Sequence, residues 1–197
     1  LHGRAAYVAL GTRDEPGTSL LTLTSPTGGV LVMEVPHGTA WEDIVTIEES
    51  MRPVLLGGYH GTWAAAGALR GRALSRAELA EHGLSLGAGV VMPLRPGMCP
   101  LEETARIVRY LAEESAGRCG PCLNGLPALA TAVERIVAGL PDPGVEKLAG
   151  YLVGRGACAH PDGTVRMVRS ALLAFPDEIR AHSEGTCLMS RLTGASV

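Results

Sequence analysis

Aromatic residues are scarce: one Phe, four Tyr and two Trp make up 4% of the 197 residues. The core must therefore be built from Leu, Val, Ile and Ala, and there is little flat surface on which bases could stack. Charge is also sparse, at 19%, with a formal balance of -3. No basic surplus exists to neutralise phosphates, which excludes nucleic acid as the main partner. The apolar fraction of 46% marks a globular rather than a disordered chain. Even so, no apolar run approaches the roughly 20 residues of a membrane span, so no membrane insertion is expected. The five cysteines are too few, and odd in number, for a disulfide scaffold, which favours a reducing, cytoplasmic setting. Also absent are a phosphate-binding G-x-x-x-x-G-K-[ST] loop, a nucleophile triad and an acid/base pair. His2, His37, His60, His82 and His182 are scattered and read as loop or surface residues. No independent catalytic site is expected. The chain opens at Leu1 rather than Met, so an upstream portion is expected to be missing.

What is present falls into two periods. Ser19–Thr24 and Val30–Val35, separated by Pro26 and Gly28-Gly29, predict a β-hairpin. Thr39 and Glu42 fit a capping box ahead of a short helix through Ile44 and Val45. Pro53–Leu56 is a short buried strand that runs into Gly57-Gly58-Tyr59-His60-Gly61-Thr62, read as a structural turn because glycine supplies φ > 0 where a turn needs it. Ser75 should cap a second short helix to Glu81, and Val90–Met92 is the last strand. From Pro100 the period becomes helical. Leu101, Ala105, Val108 and Leu111 or Ala112 mark one inward face, and Gly117 can close that helix. Leu126, Leu129, Val133 and Ile136 or Val137 mark a second helix that starts after Cys122. Asp142 and Pro143 should open a third, burying Val145, Leu148 and Leu152. A fourth starts near Pro161, buries Val165, Val168 and Leu172, and is interrupted at Phe175-Pro176. Short loops between such helices predict an antiparallel four-helix bundle. The fold class is therefore α+β, a small β unit followed by a bundle.

Cys119 and Cys122 sit in a Gly/Pro turn, and Cys158 in the loop Gly154–Pro161. In an up-down bundle the first-to-second and third-to-fourth connections lie at the same end, so the three cysteines should meet. Thiolates are the ligands of iron–sulfur clusters and of structural zinc, although redox disulfides use the Cys-x-x-Cys spacing too. Cys99 is a poor fourth ligand, since a helix of about 15 residues at 1.5 Å each puts it some ~20 Å from Cys119. His160 is better placed, two residues after Cys158, and imidazole replaces thiolate in some iron–sulfur centres. Its plainer role is a helix-terminus residue bonding backbone. Asp162 and solvent are further options, and Cys187 could return from the tail, where it otherwise reads as a surface thiol. Arg118 and Arg155 flank the loops, either offsetting negative charge or simply solvated.

The run Glu114-Ser115-Ala116-Gly117-Arg118-Cys119-Gly120-Pro121-Cys122, with Cys158 further on, resembles the pattern Glu-Ser-Cys-Gly-x-Cys-x-Pro-Cys of the NADH-binding flavin subunit of respiratory complex I and of related NAD-linked hydrogenases and formate dehydrogenases. The stretch from Gly17-Thr18 through Val35-Pro36-His37-Gly38-Thr39 to Gly87–Met92 resembles that family's soluble-ligand-binding β-grasp (SLBB) domain. Cys99 and the tail His182…Gly185-Thr186-Cys187 echo the family as well. The resemblance implies residues 1–17 as the remnant of an upstream flavin domain, 18–97 as the β-grasp domain, 98–187 as an iron–sulfur-binding bundle and 188–197 as a tail. It implies an electron-transfer module of an NADH:acceptor oxidoreductase. Electrons from an upstream flavin would pass through a cluster held by Cys119, Cys122 and Cys158 to other subunits, such as a ferredoxin-like or thioredoxin-like partner, in the cytoplasm or peripheral to a membrane complex.

Two departures matter. The family's FMN- and NADH-binding domain is absent, so this chain would not be catalytic alone. Ala116 stands where the family's first cluster cysteine stands, which leaves a 4Fe-4S cluster short of one thiolate or makes it a 3Fe-4S cluster. Two alternatives stay open: a Cys3His zinc site of Cys119, Cys122, Cys158 and His160, or a degenerate, empty site on a binding module.

Overall fold

The computed structural model describes residues 3–25, 28–46, 48, 52–141 and 144–189. The chain divides into two compact units, Leu1–Arg95 and Pro96–Val197.

The first unit is built on a five-stranded sheet in the order β2-β1-β5-β3-β4. Its strands are β1 (Thr18–Thr24), β2 (Val30–Pro36), β3 (Val54–Leu56), β4 (Thr62–Ala64) and β5 (Val90–Pro93). The expected hairpin forms, with β1 and β2 antiparallel and Leu21 opposite Met33. Alternation sends Leu21 and Val35 into the core, while Leu20 and Val32 stay exposed. β5 then pairs with β1 in parallel, Leu23 beside Val91. That junction depends on Gly89, because a Cβ there would lie 2.4 Å from the Leu20 carbonyl oxygen. The short helices α1 (Gly3–Val8), α2 (Trp41–Ile44) and α3 (Arg76–Glu81) accompany the sheet. Trp41, Leu56, Leu74, Leu79 and Val91 form much of the core beside it. Each such side chain contributes on the order of 1.5–3 kcal/mol.

Some expectations change here and others fall outside the described residues. The capping box is not formed: Ala40 is the N-cap of α2, the Thr39 hydroxyl donates to the Pro36 carbonyl at 2.8 Å, and Glu42 accepts from the Gly71 N–H. A long-range partner has taken the carboxylate. The glycine run after β3 is the turn of a second hairpin, and β4, which the residue pattern does not predict, pairs antiparallel with β3. Three residues are too few to show a period. Pro26, expected in the first turn, lies outside the described residues, as do Asp142 and Pro143; Gly144, at φ 88°, is the N-cap found for the third long helix.

Ser75 caps α3 as expected, accepting from the Glu78 N–H at 3.2 Å. Glu15 adds a cap from a distant turn. Its carboxylate accepts from the Ser75 hydroxyl at 2.7 Å and from the Arg76 and Ala77 N–H groups, each at 2.9 Å. Burial raises the Glu15 pKa, but these hydrogen bonds outweigh it and bring it down to about 2.

Among its described residues the second unit has five helices: α4 (Pro100–Glu113), α5 (Leu126–Val137), α6 (Val145–Leu152), α7 (His160–Ala174) and α8 (Pro176–Ser183). The anticipated inward residues Leu101, Val108, Leu126, Leu129, Val133, Val165 and Val168 are buried, whereas Leu148 and Leu172, also expected inward, are half-buried. The interruption at Phe175-Pro176 is a full break that starts α8 as a separate helix, so five helices stand where four were expected. Arg109 on α4 forks onto both carboxylate oxygens of Glu134 on α5, at 2.8 and 2.6 Å. Among the described residues no helix is long and apolar enough to cross a membrane.

Because the folded pKa of Glu15 is depressed, its contribution is present above the unfolded value, about 4.3, and is lost as pH falls toward about 2. Melting curves between pH 6 and pH 2.5 should show the first unit losing more stability than a Glu15→Gln variant does over the same range.

Candidate metal centre

α4 ends at Glu113, and Gly117 turns the chain at φ 61°. Cys119 follows, and Pro121–Gly125 forms one π-helical turn that runs straight into α5. Cys122 therefore lies inside a helical turn rather than in a loop. Such turns are rare and recur at functional sites. The turn is packed tightly from α6, since a Cβ on Gly125 would lie 2.1 Å from Leu152 Cδ2.

Cys158 stands in the connection from α6 to α7. That connection is held by Asp162 of α7, whose Oδ1 accepts from the Gly154 N–H at 2.9 Å. The two cysteine segments meet. The Ala157 N–H and then the Cys122 N–H donate to Cys119 sulfur and lower its pKa. Burial raises the Cys122 thiol, and the neighbouring Cys119 and Cys158 sulfurs raise it further. Cys122 is buried, Cys119 half-buried and Cys158 exposed, and all are free thiols. Cys119 and Cys122 lie at the leading end of the helix that becomes α5, and Cys158 lies two residues before α7. Helix N-termini favour negative charge, and the corner lies at the N-terminal ends of the two long helices α5 and α7.

His160 is the first residue of α7. Its Nε2–H donates to the Leu111 carbonyl of α4 at 2.8 Å, which is the backbone-bonding role anticipated for a helix-terminus histidine. Any ligand role then falls to Nδ1. Metal-bound histidines commonly donate their other ring N–H to a carbonyl in this way. Arg118 and Arg155 are exposed. Three thiols, polarised N–H groups and helix N-termini are a donor set that fits an iron–sulfur cluster or zinc.

Cys187 does not return to this corner. It lies with Cys99, Glu178 and His182, the ligand atoms of all four within 4.8 Å of one another. The sequence marks Cys99, His182 and Cys187 singly but not as a cluster. Glu178 gives no signal beyond standing four residues before His182.

Residues 102–182 match the family model described as the NADH-ubiquinone oxidoreductase-F iron-sulfur binding region. The chain resembles the C-terminal region of the F-type flavin subunit. The F 2 subunit of the NADH-quinone oxidoreductase of Rhizobium meliloti is 27% identical over 195 residues, which are 93% of this chain and 46% of the relative. The corresponding F-type subunit of Escherichia coli is 29% identical over 108 residues, 52% of this chain and 24% of the relative. The chain thus spans less than half the length of these relatives. Among solved structures, the NAD+-reducing [NiFe]-hydrogenase in the H2-reduced state shares the fold with a TM-score of 0.74 at 23% identity, over 98% of this chain and 36% of that one. The air-oxidised state gives 0.73 at 24% identity, over 90% and 32%.

Filling the space at Gly125 should loosen the corner. Gly125→Val is expected to cost about 1–3 kcal/mol by overpacking against Leu152, read as a lower urea midpoint for the helical unit.

Proposed function

We propose that this chain is an electron-relay module of an NADH:acceptor oxidoreductase, with an iron–sulfur cluster held by Cys119, Cys122 and Cys158. The single observation that carries the reading is the approach of the Cys158 connection to the Cys119–Cys122 turn, where the Ala157 N–H reaches Cys119 and the Cys158 thiol is near enough to raise that of Cys122. The match over residues 102–182 to an iron–sulfur binding region supports it. When bound, such a cluster accepts and passes on one electron at a time.

The residues of the chain supply the setting. Backbone N–H groups and helix N-termini favour the anionic sulfurs, and the buried side of Cys122 excludes water. Exposed Cys158 brings one edge of the site to the surface, where an electron can leave. Ala116 offers no ligand, so the fourth position falls to His160 Nδ1, Asp162 or solvent, or the cluster is 3Fe-4S. His160 would ligate only through Nδ1, because its Nε2–H is committed to the Leu111 carbonyl. A Cys3His zinc site is the second reading, and it would need these four ligand atoms to draw closer together, since among the described residues only Cys99, Glu178, His182 and Cys187 bring theirs within 4.8 Å.

FMN and NADH would act in an upstream domain. Partner subunits would accept the electrons, and exposed Leu20, Val30 and Val32 on the β1–β2 hairpin suit contact with one of them. The mixed sheet with its parallel β1–β5 pair supports the β-grasp (SLBB) reading of the first unit. The approach of the two cysteine segments supports an antiparallel core of four helices, with α8 appended. A place peripheral to a membrane complex agrees with the relatives' quinone-linked names.

Anaerobic purification with iron, sulfide and zinc analysis tests the reading. Broad visible absorption with stoichiometric iron and sulfide is expected, and His160→Ala should make the iron more easily lost. Colourless protein with one zinc removed by Cys158→Ser would replace the relay with the zinc reading. Ala116→Cys supplies the missing thiolate and should lengthen the half-life of the visible chromophore in air.

A further inference from the structure

Cys99, Glu178, His182 and Cys187 come from three segments of the helical unit. Cys99 is the N-cap of α4, but its side chain does no capping through an oxygen as Ser or Asp would. Its sulfur instead lies 3.3 Å from His182 Nε2 and 3.6 Å from Glu178 Oε1. His182 Nε2 and Glu178 Oε1 are 3.2 Å apart. Glu178 and His182 stand four residues apart on α8, which puts them on one face. Cys187 arrives by a reversal after α8: Gly185 turns at φ 72°, and the Thr186 N–H bonds the Ala181 carbonyl at 2.9 Å. The Leu188 N–H then donates to Glu178 Oε1 at 3.1 Å, fastening the returned strand of chain.

The surroundings are closed except at Cys187, which is half-buried. Cys99 is 2% exposed, Glu178 4% and His182 7%. His182 Nδ1–H donates to the Val137 carbonyl at 2.6 Å. A carbonyl can only accept, so the proton is on Nδ1 and Nε2 is aimed at Cys99 and Glu178. This is the carbonyl-oriented imidazole typical of a metal ligand. The backbone beside it is close-fitted, since a Cβ on Gly139 would lie 2.3 Å from the His182 carbonyl oxygen.

We propose that Cys99, Glu178, His182 and Cys187 form a structural zinc site, separate from the Cys119–Cys122–Cys158 corner. With zinc bonds of about 2.0–2.3 Å, a tetrahedron has ligand-to-ligand edges of about 3.3–3.8 Å. The three separations of 3.2, 3.3 and 3.6 Å need little adjustment to meet that. Two sulfurs, one imidazole and one carboxylate are a donor set for zinc rather than for calcium or magnesium. A dication also offsets anions that would otherwise be buried together. Binding displaces the two thiol protons to solvent. α4, about 20 Å long, separates Cys99 from the Cys119 end, so the two sites take different ions. The zinc would fasten the 186–189 segment and α8 to the start of α4, holding the end of the helical unit closed.

Cobalt(II) is the probe. A Cys119→Ser/Cys122→Ser/Cys158→Ser variant removes the other thiol site. Anaerobic titration of this variant should give one equivalent of cobalt with the intense visible bands of tetrahedral thiolate coordination, displaced by zinc. Adding Cys187→Ser or His182→Ala should weaken cobalt by more than the roughly 10–100-fold that loss of an outer-shell partner costs, while Cys187→His, which keeps a ligand, restores much of it. In the unaltered, zinc-loaded chain, iodoacetamide should spare Cys99 and Cys187 until a chelator is added. The proposal is overturned if the cobalt bands survive in Cys187→Ser, if chelation leaves alkylation of Cys187 unchanged, or if mass spectrometry finds a Cys99–Cys187 disulfide in protein purified under reducing conditions.

Discussion

The apolar seam between α4 and α5 is the constraint on which the helical unit depends. Leu101, Val108 and Leu111 on one helix, with Leu126, Leu129 and Val133 on the other, are all nearly or wholly removed from water. Arg109 and Glu134 add a two-pronged ion pair across its rim. Fixing this pair of helices fixes where the segment between them lies, and that segment carries Cys119 and Cys122. α6 then closes on the π-helical turn through Leu152, which delivers the chain to Cys158. The thiol corner follows from the packing of Leu, Val and Ala side chains along the helices that flank it.

The same helices create a second polar cluster at the other end of α4. Cys99 lies just before its first turn, and Cys119 lies beyond its last. One helix therefore has cysteines gathered at each end, open at Cys158 at one end and with three of four side chains buried at the other. The exposure differs with the task each would have. An electron relay needs an edge near the surface, as Cys158 has, whereas a structural ion is held best by buried ligands such as Cys99, Glu178 and His182.

In the first unit the constraint is the parallel pairing of β1 with β5. A hairpin can form from neighbouring residues alone, but β5 follows β1 by more than sixty residues. Gly89 makes the close approach possible. Glu15 fastens the turn before β1 to the N-terminus of α3, so the elements flanking the sheet are tied by a carboxylate as well as by their core.

The sequence by itself determined the periodic elements. The inward faces of α4, α5 and α7 and the β1–β2 hairpin could be read because burial on one side imposes a period of 3.6 or 2 on the residues. It also marked Cys119, Cys122 and Cys158 as candidates, because thiolates are the ligands that iron–sulfur clusters and structural zinc use. Tertiary structure alone decided the rest. Glu42 left its expected capping box for the Gly71 N–H, since a local cap and a distant partner compete for one carboxylate. β4 is too short to have a period. Cys99, Glu178, His182 and Cys187 meet only because α8 breaks away at Phe175 and the chain reverses at Gly185. Ligands brought together from three segments leave no spacing to read, because their proximity is a property of helix packing and not of the order of residues.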